Sequence, residues 1–188
     1  ANNIFIGKTT IQSWVGSLSN VAVWNSALSA LNISSIYNNG TPGDLTSLSP
    51  LSWWKLDDSA TFSTNWSVPD AGSASNTGTS SGMTQANLVP DTVTRGTALY
   101  SEYSFDFDGV TDYIDCGNIS ALNGVTEATW SGWFNRAAAG SFYIMSTWGT
   151  TSSTIQFLVL QSATAVTVYM ANSAGSQQTM NTISYAKK

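Results

Sequence analysis

Alternation with a period of two is the feature that most limits what this chain can become. Between Tyr103 and Asp108, the apolar residues Tyr103, Phe105 and Phe107 alternate with Ser104, Asp106 and Asp108. Successive side chains of an extended strand point to opposite faces, so this run predicts a half-buried strand. Asp108-Gly109 interrupts it and Tyr113-Ile-Asp resumes it, which predicts two strands joined by a short glycine-containing turn. Similar patterns recur at residues 3–7, 16–24, 128–134, 141–146, 154–160 and 165–170. Many short strands at fairly even spacing predict an all-β antiparallel sandwich or barrel.

One helix interrupts the pattern. Ser29 suits an N-cap, and Ile33, Ile36 and Tyr37 recur at i, i+3 and i+4 as one apolar face. Asn39-Gly40 supplies a stop, with Pro42 beyond it. Residues 41–52 carry turn chemistry and read as a linker. Residues 70–82, rich in Ser, Gly, Ala and Thr, read as a long loop. Between them stand Trp53, Trp54, Phe62 and Trp66, enough aromatic surface to predict that this stretch packs onto a sheet.

Only 9% of the residues are charged, with six Lys and Arg against eleven Asp and Glu, a net charge of -5. A nucleic-acid partner needs a cationic footprint, and this chain has none. No apolar run reaches the roughly 18 residues that would read as a membrane span, so no membrane insertion is expected. The N-terminus lacks a charged-then-apolar leader and an initiating Met, so the chain is expected to be a mature product or an internal piece of a longer protein. Cys116 is the sole cysteine. No intrachain disulfide can form, and in Tyr-Ile-Asp-Cys-Gly the thiol reads as a small buried hydrophobe.

Ser104-Phe-Asp-Phe-Asp-Gly-Val-Thr-Asp-Tyr-Ile-Asp resembles the opening hairpin of laminin-G-like domains, members of the concanavalin A-like lectin-glucanase jelly rolls. Ala128-Thr-Trp-Ser-Gly-Trp-Phe is similar to their next core strand. Gly16-Ser-Leu-Ser-Asn-Val-Ala-Val-Trp, followed by the helix, resembles their closing strand and terminal helix. Leu51-Ser-Trp-Trp-Lys-Leu-Asp and Asp70-Ala-Gly-Ser are similar to joints between tandem copies in large marine phage and environmental bacterial surface proteins. The resemblance implies an antiparallel β-sandwich jelly roll with one short helix. It also implies a particular order, because here the closing elements precede the opening ones. Residues 1–40 are then expected to be the C-terminal part of one unit, 41–52 a linker, and 53–188 the N-terminal part of a second unit. A permuted unit completed by a neighbouring chain is the other reading of that order. In either case an exposed sheet edge would be covered by a neighbouring copy or subunit, or by a continuation of the chain.

The chain has no His, which removes the usual general base and the commonest zinc ligand. Glycoside hydrolysis needs two carboxylates flanking the scissile bond. The glucanases among the resembling proteins place glutamates on one strand as Glu-x-Asp-x-x-Glu, whereas Glu102 and Glu127 stand apart. No enzymatic activity is expected. Asp106, Asp108, Asp112 and Asp115 cluster within ten residues. Calcium is the cation such oxygens would take, with Asp108 and Asp112 as its candidate ligands. The competing reading has Asp108 and Asp112 bonding the turn backbone, as Asp commonly does, and Asp106 facing solvent. Among the aromatics, alternation assigns Trp24, Trp130 and Trp133 to the core or to sheet faces. Trp66 and Trp148 sit among Ser, Thr, Asn and Gly and are the candidate carbohydrate-binding platforms.

These readings converge on a non-catalytic surface recognition module that binds glycans weakly, within a larger virion-surface or extracellular protein. The alternative is a purely structural fibre or capsid-decoration module that mediates protein-protein contacts.

Overall fold

The computed structural model describes residues 3–9, 12–90, 102–147, 157–162, 164–171 and 177–184. They form two antiparallel sheets and one short α-helix. The smaller sheet is built around β2 (Val15–Trp24), which pairs with β10 (Thr129–Arg136), β8 (Tyr103–Asp108) and β3 (Ser52–Trp54); β7 (Leu88–Pro90) lies beside β8. The larger sheet has β1 (Ile4–Ile6) at its centre, between β9 (Tyr113–Asp115) and β11 (Phe142–Thr147). Beyond β9 lie β6 (Gly78–Ser81), β5 (Trp66–Val68) and β4 (Thr61–Phe62). Beyond β11 lie β12 (Phe157–Gln161), β13 (Ala165–Ala171) and β14 (Gln177–Ser184).

The first two strands, β1 and β2, therefore lie in the interior of the larger and the smaller sheet. One core joins Ile4, Ile6, Leu18 and Val21 to Phe105, Phe107, Ile114 and Ile144. The expected boundary at 41–52 is not a boundary of this core. That segment is no free linker either, since Leu45 is buried and the Trp24 indole donates to the Leu48 carbonyl at 2.8 Å. Burying such large apolar side chains contributes roughly 1.5–3 kcal/mol each, and this outweighs any tendency of a Pro- and Gly-containing segment to stay extended.

The turn at Asp108-Gly109 also departs from expectation. β8 and β9 do not pair with each other; β8 belongs to the smaller sheet and β9 to the larger. The turn carries the chain from one sheet to the other, so Phe107 and Ile114 enter one core from different sheets. Residues 70–82 likewise exceed the loop expected of them. They contain β6, and two side chains pin the rest. Asp70 accepts hydrogen bonds from the backbone N–H groups of Trp53, Gly72 and Asn76 at 2.7–2.8 Å. Asn76 donates in turn to the carbonyls of Cys116 and Asn118. Cys116 is fully buried, and desolvation raises its thiol well above the ordinary value.

The helix α1 (Ala30–Tyr37) starts where the sequence predicts, with the Ser29 hydroxyl accepting from the Asn32 N–H at 3.2 Å. It ends at Asn38 in the left-handed conformation. Ile36 packs with Leu28 and Leu48 against Ala22, Trp24 and Trp53, a second apolar cluster on the outer face of the smaller sheet. The predicted apolar face is only partly buried, however. Ile33 is 53% exposed and Tyr37 62%.

Candidate functional site

The two tryptophans expected as exposed platforms fare differently. Trp66 is 4% exposed and belongs to the core. Its ring packs edge-on to Phe105 at 5.0 Å and tilted against Phe62 at 5.2 Å. Its indole N–H donates to the Thr84 carbonyl at 2.8 Å. The expectation of a sugar platform at Trp66 is therefore corrected: polar neighbours in sequence do not prevent a central position when Phe105 arrives from another strand. Trp148 lies outside the described residues.

The structure brings Asp108 and Asp112 together, and what they hold is the turn. Asp108 Oδ1 accepts from the backbone N–H groups of Val110, Thr111 and Asp112 at 2.7–3.0 Å, and Oδ2 from the Thr111 hydroxyl at 2.9 Å. Partial burial pushes its carboxyl up, but these donors outweigh burial and hold it below the ordinary value. Asp112 is buried, and its Oδ2 accepts from the Asp108 N–H at 3.1 Å and the Asn87 amide at 2.7 Å. Burial raises its carboxyl first, with the nearby charges of Asp108 and Asp106 adding to the shift. A calcium ion wants six to eight oxygens, whereas the positive ends of N–H dipoles point at these. The pair as arranged does not fit that ion. Among the described residues, no three His, Cys, Asp or Glu side chains gather as a metal-ligating group.

A different surface combines aromatic and polar groups, on the outer face of the smaller sheet. Its layout follows from the register of β2 with its neighbours. Trp130 stands opposite Val23 and Phe134 opposite Leu18, and all four pack in the main core. Between these pairs β2 carries one more residue than β10, a bulge at Asn20-Val21 with Asn20 at φ 51°. The bulge resets the alternation, so Val21 and Leu18 both face inward while Ser19 and Ser17 face outward. Trp133, opposite Ser19, is then on the outer face, where Tyr37 of α1 stacks beside it with ring centroids 6.4 Å apart and planes 16° from parallel. At that separation the rings are offset rather than superposed, forming one stepped aromatic surface with Tyr37 the more exposed half.

The next outward row is polar. Asn135 stands opposite Ser17, and Ser17 opposite Asp106. Asn135 and Asp106 are exposed, and the Ser17 hydroxyl donates to Asp106 Oδ1 at 3.4 Å. Reading the sequence alone places Trp133 on a sheet face and Tyr37 on a helix face. It does not bring them together, because the contact joins residues nearly a hundred positions apart. No protein-family model matches this chain, and neither a curated protein nor a solved structure matches it.

Proposed function

We propose that this protein is a non-catalytic surface recognition module that binds glycans weakly through the outer face of its smaller sheet. The observation that carries the proposal is the Tyr37–Trp133 stack, an exposed aromatic surface beside hydroxyl, amide and carboxylate side chains. A sugar ring presents an apolar C–H face and a rim of hydroxyls. It suits a site where flat aromatic surface meets a few placed polar groups. Weak binding follows from the open shape, which buries only one face of a ligand. The two-sheet architecture with one helix on the smaller sheet supports, within the same proposal, a laminin-G-like jelly roll in a larger extracellular or virion-surface protein.

A glycan array probed with the labelled chain tests this reading. Binding to a subset of glycans, abolished in Tyr37→Ala and Trp133→Ala, is expected. An array with no bound glycan, or binding unchanged by both substitutions, would refute it. One observation favours the structural alternative. Leu31, 77% exposed, and Ile33 lie on the same helix and offer apolar area to a neighbouring copy or subunit. Under that reading, Leu31→Asp/Ile33→Asp would dissociate assemblies seen by sedimentation.

A further inference from the structure

We infer that the row Asn135–Ser17–Asp106 is a second subsite, so that the ligand is an uncharged oligosaccharide of at least two rings. The inference rests on the aromatic platform proposed above and specifies what that platform takes. Trp133 and Asn135 are two residues apart on β10 and share its outer face, which separates them by about 7 Å along the strand. From Asn135 the row crosses β2 to β8, with about 4.8 Å between strands. One ring lying on Tyr37 and Trp133 therefore delivers its neighbour over the polar row.

The groups there match sugar hydroxyls. Asn135 offers both donor and acceptor, Ser17 a hydroxyl that can do either, and Asp106 a carboxylate that only accepts. Asp106 Oδ1 takes the Ser17 hydroxyl, and a carboxylate has about four acceptor positions in all. Hydrogen bonds to a charged group are the stronger kind, so Asp106 should anchor a pair of neighbouring hydroxyls. Its charge also determines what is excluded. Asp106 is close enough to act on Asp112 together with Asp108, so this end of the face carries a negative field. Lys55 lies over the Trp53 ring and acts on Asp44. Trp53 pairs with Ala22, toward the other end of β2. A sulfated or uronic-acid sugar at the row would bring its negative charge against Asp106 and Asp108.

The test is a calorimetric or NMR titration of the intact chain with neutral tetrasaccharides of glucose, mannose and N-acetylglucosamine. Their monosaccharides and tetragalacturonate serve as comparisons. At least one neutral tetramer should bind tenfold or more tightly than its monosaccharide, and tetragalacturonate should bind at least tenfold more weakly than that tetramer. Asn135→Ala should weaken the tetramer about fivefold, the worth of one hydrogen bond, and Asp106→Ala, which removes charge-assisted bonds, by more than that. Both should leave the monosaccharide unchanged. Both side chains are exposed, and an unchanged melting temperature in each variant confirms the fold. If Tyr37→Ala abolishes tetramer binding while Asn135→Ala and Asp106→Ala do not affect it, the second subsite is refuted and the platform stands. Equal binding of tetragalacturonate refutes the charge selection. If no neutral sugar binds, platform and subsite fall together.

Discussion

Substituting Gly16 with Ala would test the register on which the outer-face site depends. Gly16 lies on β2 at φ +119°, and an added Cβ would sit 2.1 Å from the Asn135 carbonyl oxygen and 2.7 Å from the Ala137 nitrogen. Both are backbone atoms of the facing segment and cannot rotate away. An ordinary C···O approach is about 3.3–3.6 Å, so the strands must part by roughly 1 Å. The last two rungs of the β2–β10 ladder, Asn135↔Ser17 and Arg136↔Gly16, would then weaken. Backbone strain of about 1–3 kcal/mol and two hydrogen bonds of about 0.5–1.5 kcal/mol each bring the expected loss to about 2–6 kcal/mol. Gly124→Ala is the control. Gly124 has φ +74°, but its added Cβ would meet nothing within 4 Å, so only the left-handed cost of about 1–2 kcal/mol remains. Urea unfolding followed by tryptophan fluorescence, extrapolated linearly to water, should separate the two variants by about 2.5 kcal/mol, the difference of these central values. A Gly16→Ala variant within 0.5 kcal/mol of Gly124→Ala would refute the close approach, and with it the placing of Ser17 opposite Asn135.

Trp66→Ala should cost about 3–5 kcal/mol, as a large core truncation does, and leave glycan binding of the folded fraction unchanged; a loss under 1 kcal/mol would contradict its burial. Asp108 has a folded-state value below its unfolded one, so its contribution is present above about pH 4 and is lost as pH falls through the folded value. Unfolding of Asp108→Asn should accordingly lose less stability than the parent protein between pH 5 and pH 2. Asp112 has the opposite sign, with stability lost as pH rises from its unfolded to its folded value. Asp112→Asn, which can still accept from Asp108 and Asn87, should gain relative to the parent between pH 3 and pH 7, whereas Asp112→Ala should lose about 1–3 kcal/mol through two unpaired donors.

Alternation made most of the strands legible, because a half-buried strand writes its two faces into the sequence. It carries no information about which sheet a strand joins. That is why Asp108-Gly109 reads as a hairpin turn and proves to be a crossing between sheets. Trp66 reads as an exposed loop residue for a related reason. β5 is three residues long, too short for a pattern, and its burial is decided by Phe105 and Ser80 from distant strands. The Ser- and Gly-rich run after Asp70 looks featureless because its order comes from two side chains, Asp70 holding backbone N–H groups of the run and of Trp53, and Asn76 bonded to the carbonyls of Cys116 and Asn118. Gln177–Ser184 shows no apolar alternation and still forms β14, its register set by pairing with β13. The aromatic platform was half legible. Each ring's own face could be assigned, but the bulge at Asn20 that points Trp133 toward Tyr37 depends on the pairing of β2 with β10. No local pattern records that pairing.

The most direct measurement of the central claim is the set of tryptophan indole N–H signals in ¹⁵N-labelled protein during titration with the best neutral tetrasaccharide. Trp133→Phe assigns its signal by deletion, and the same substitution at Trp148 assigns that residue. The account predicts a saturable shift of the Trp133 signal, while the signals of buried Trp14, Trp54 and Trp66 stay in place. A shift confined to Trp148, or no shift at Trp133 when binding is saturated, would contradict it.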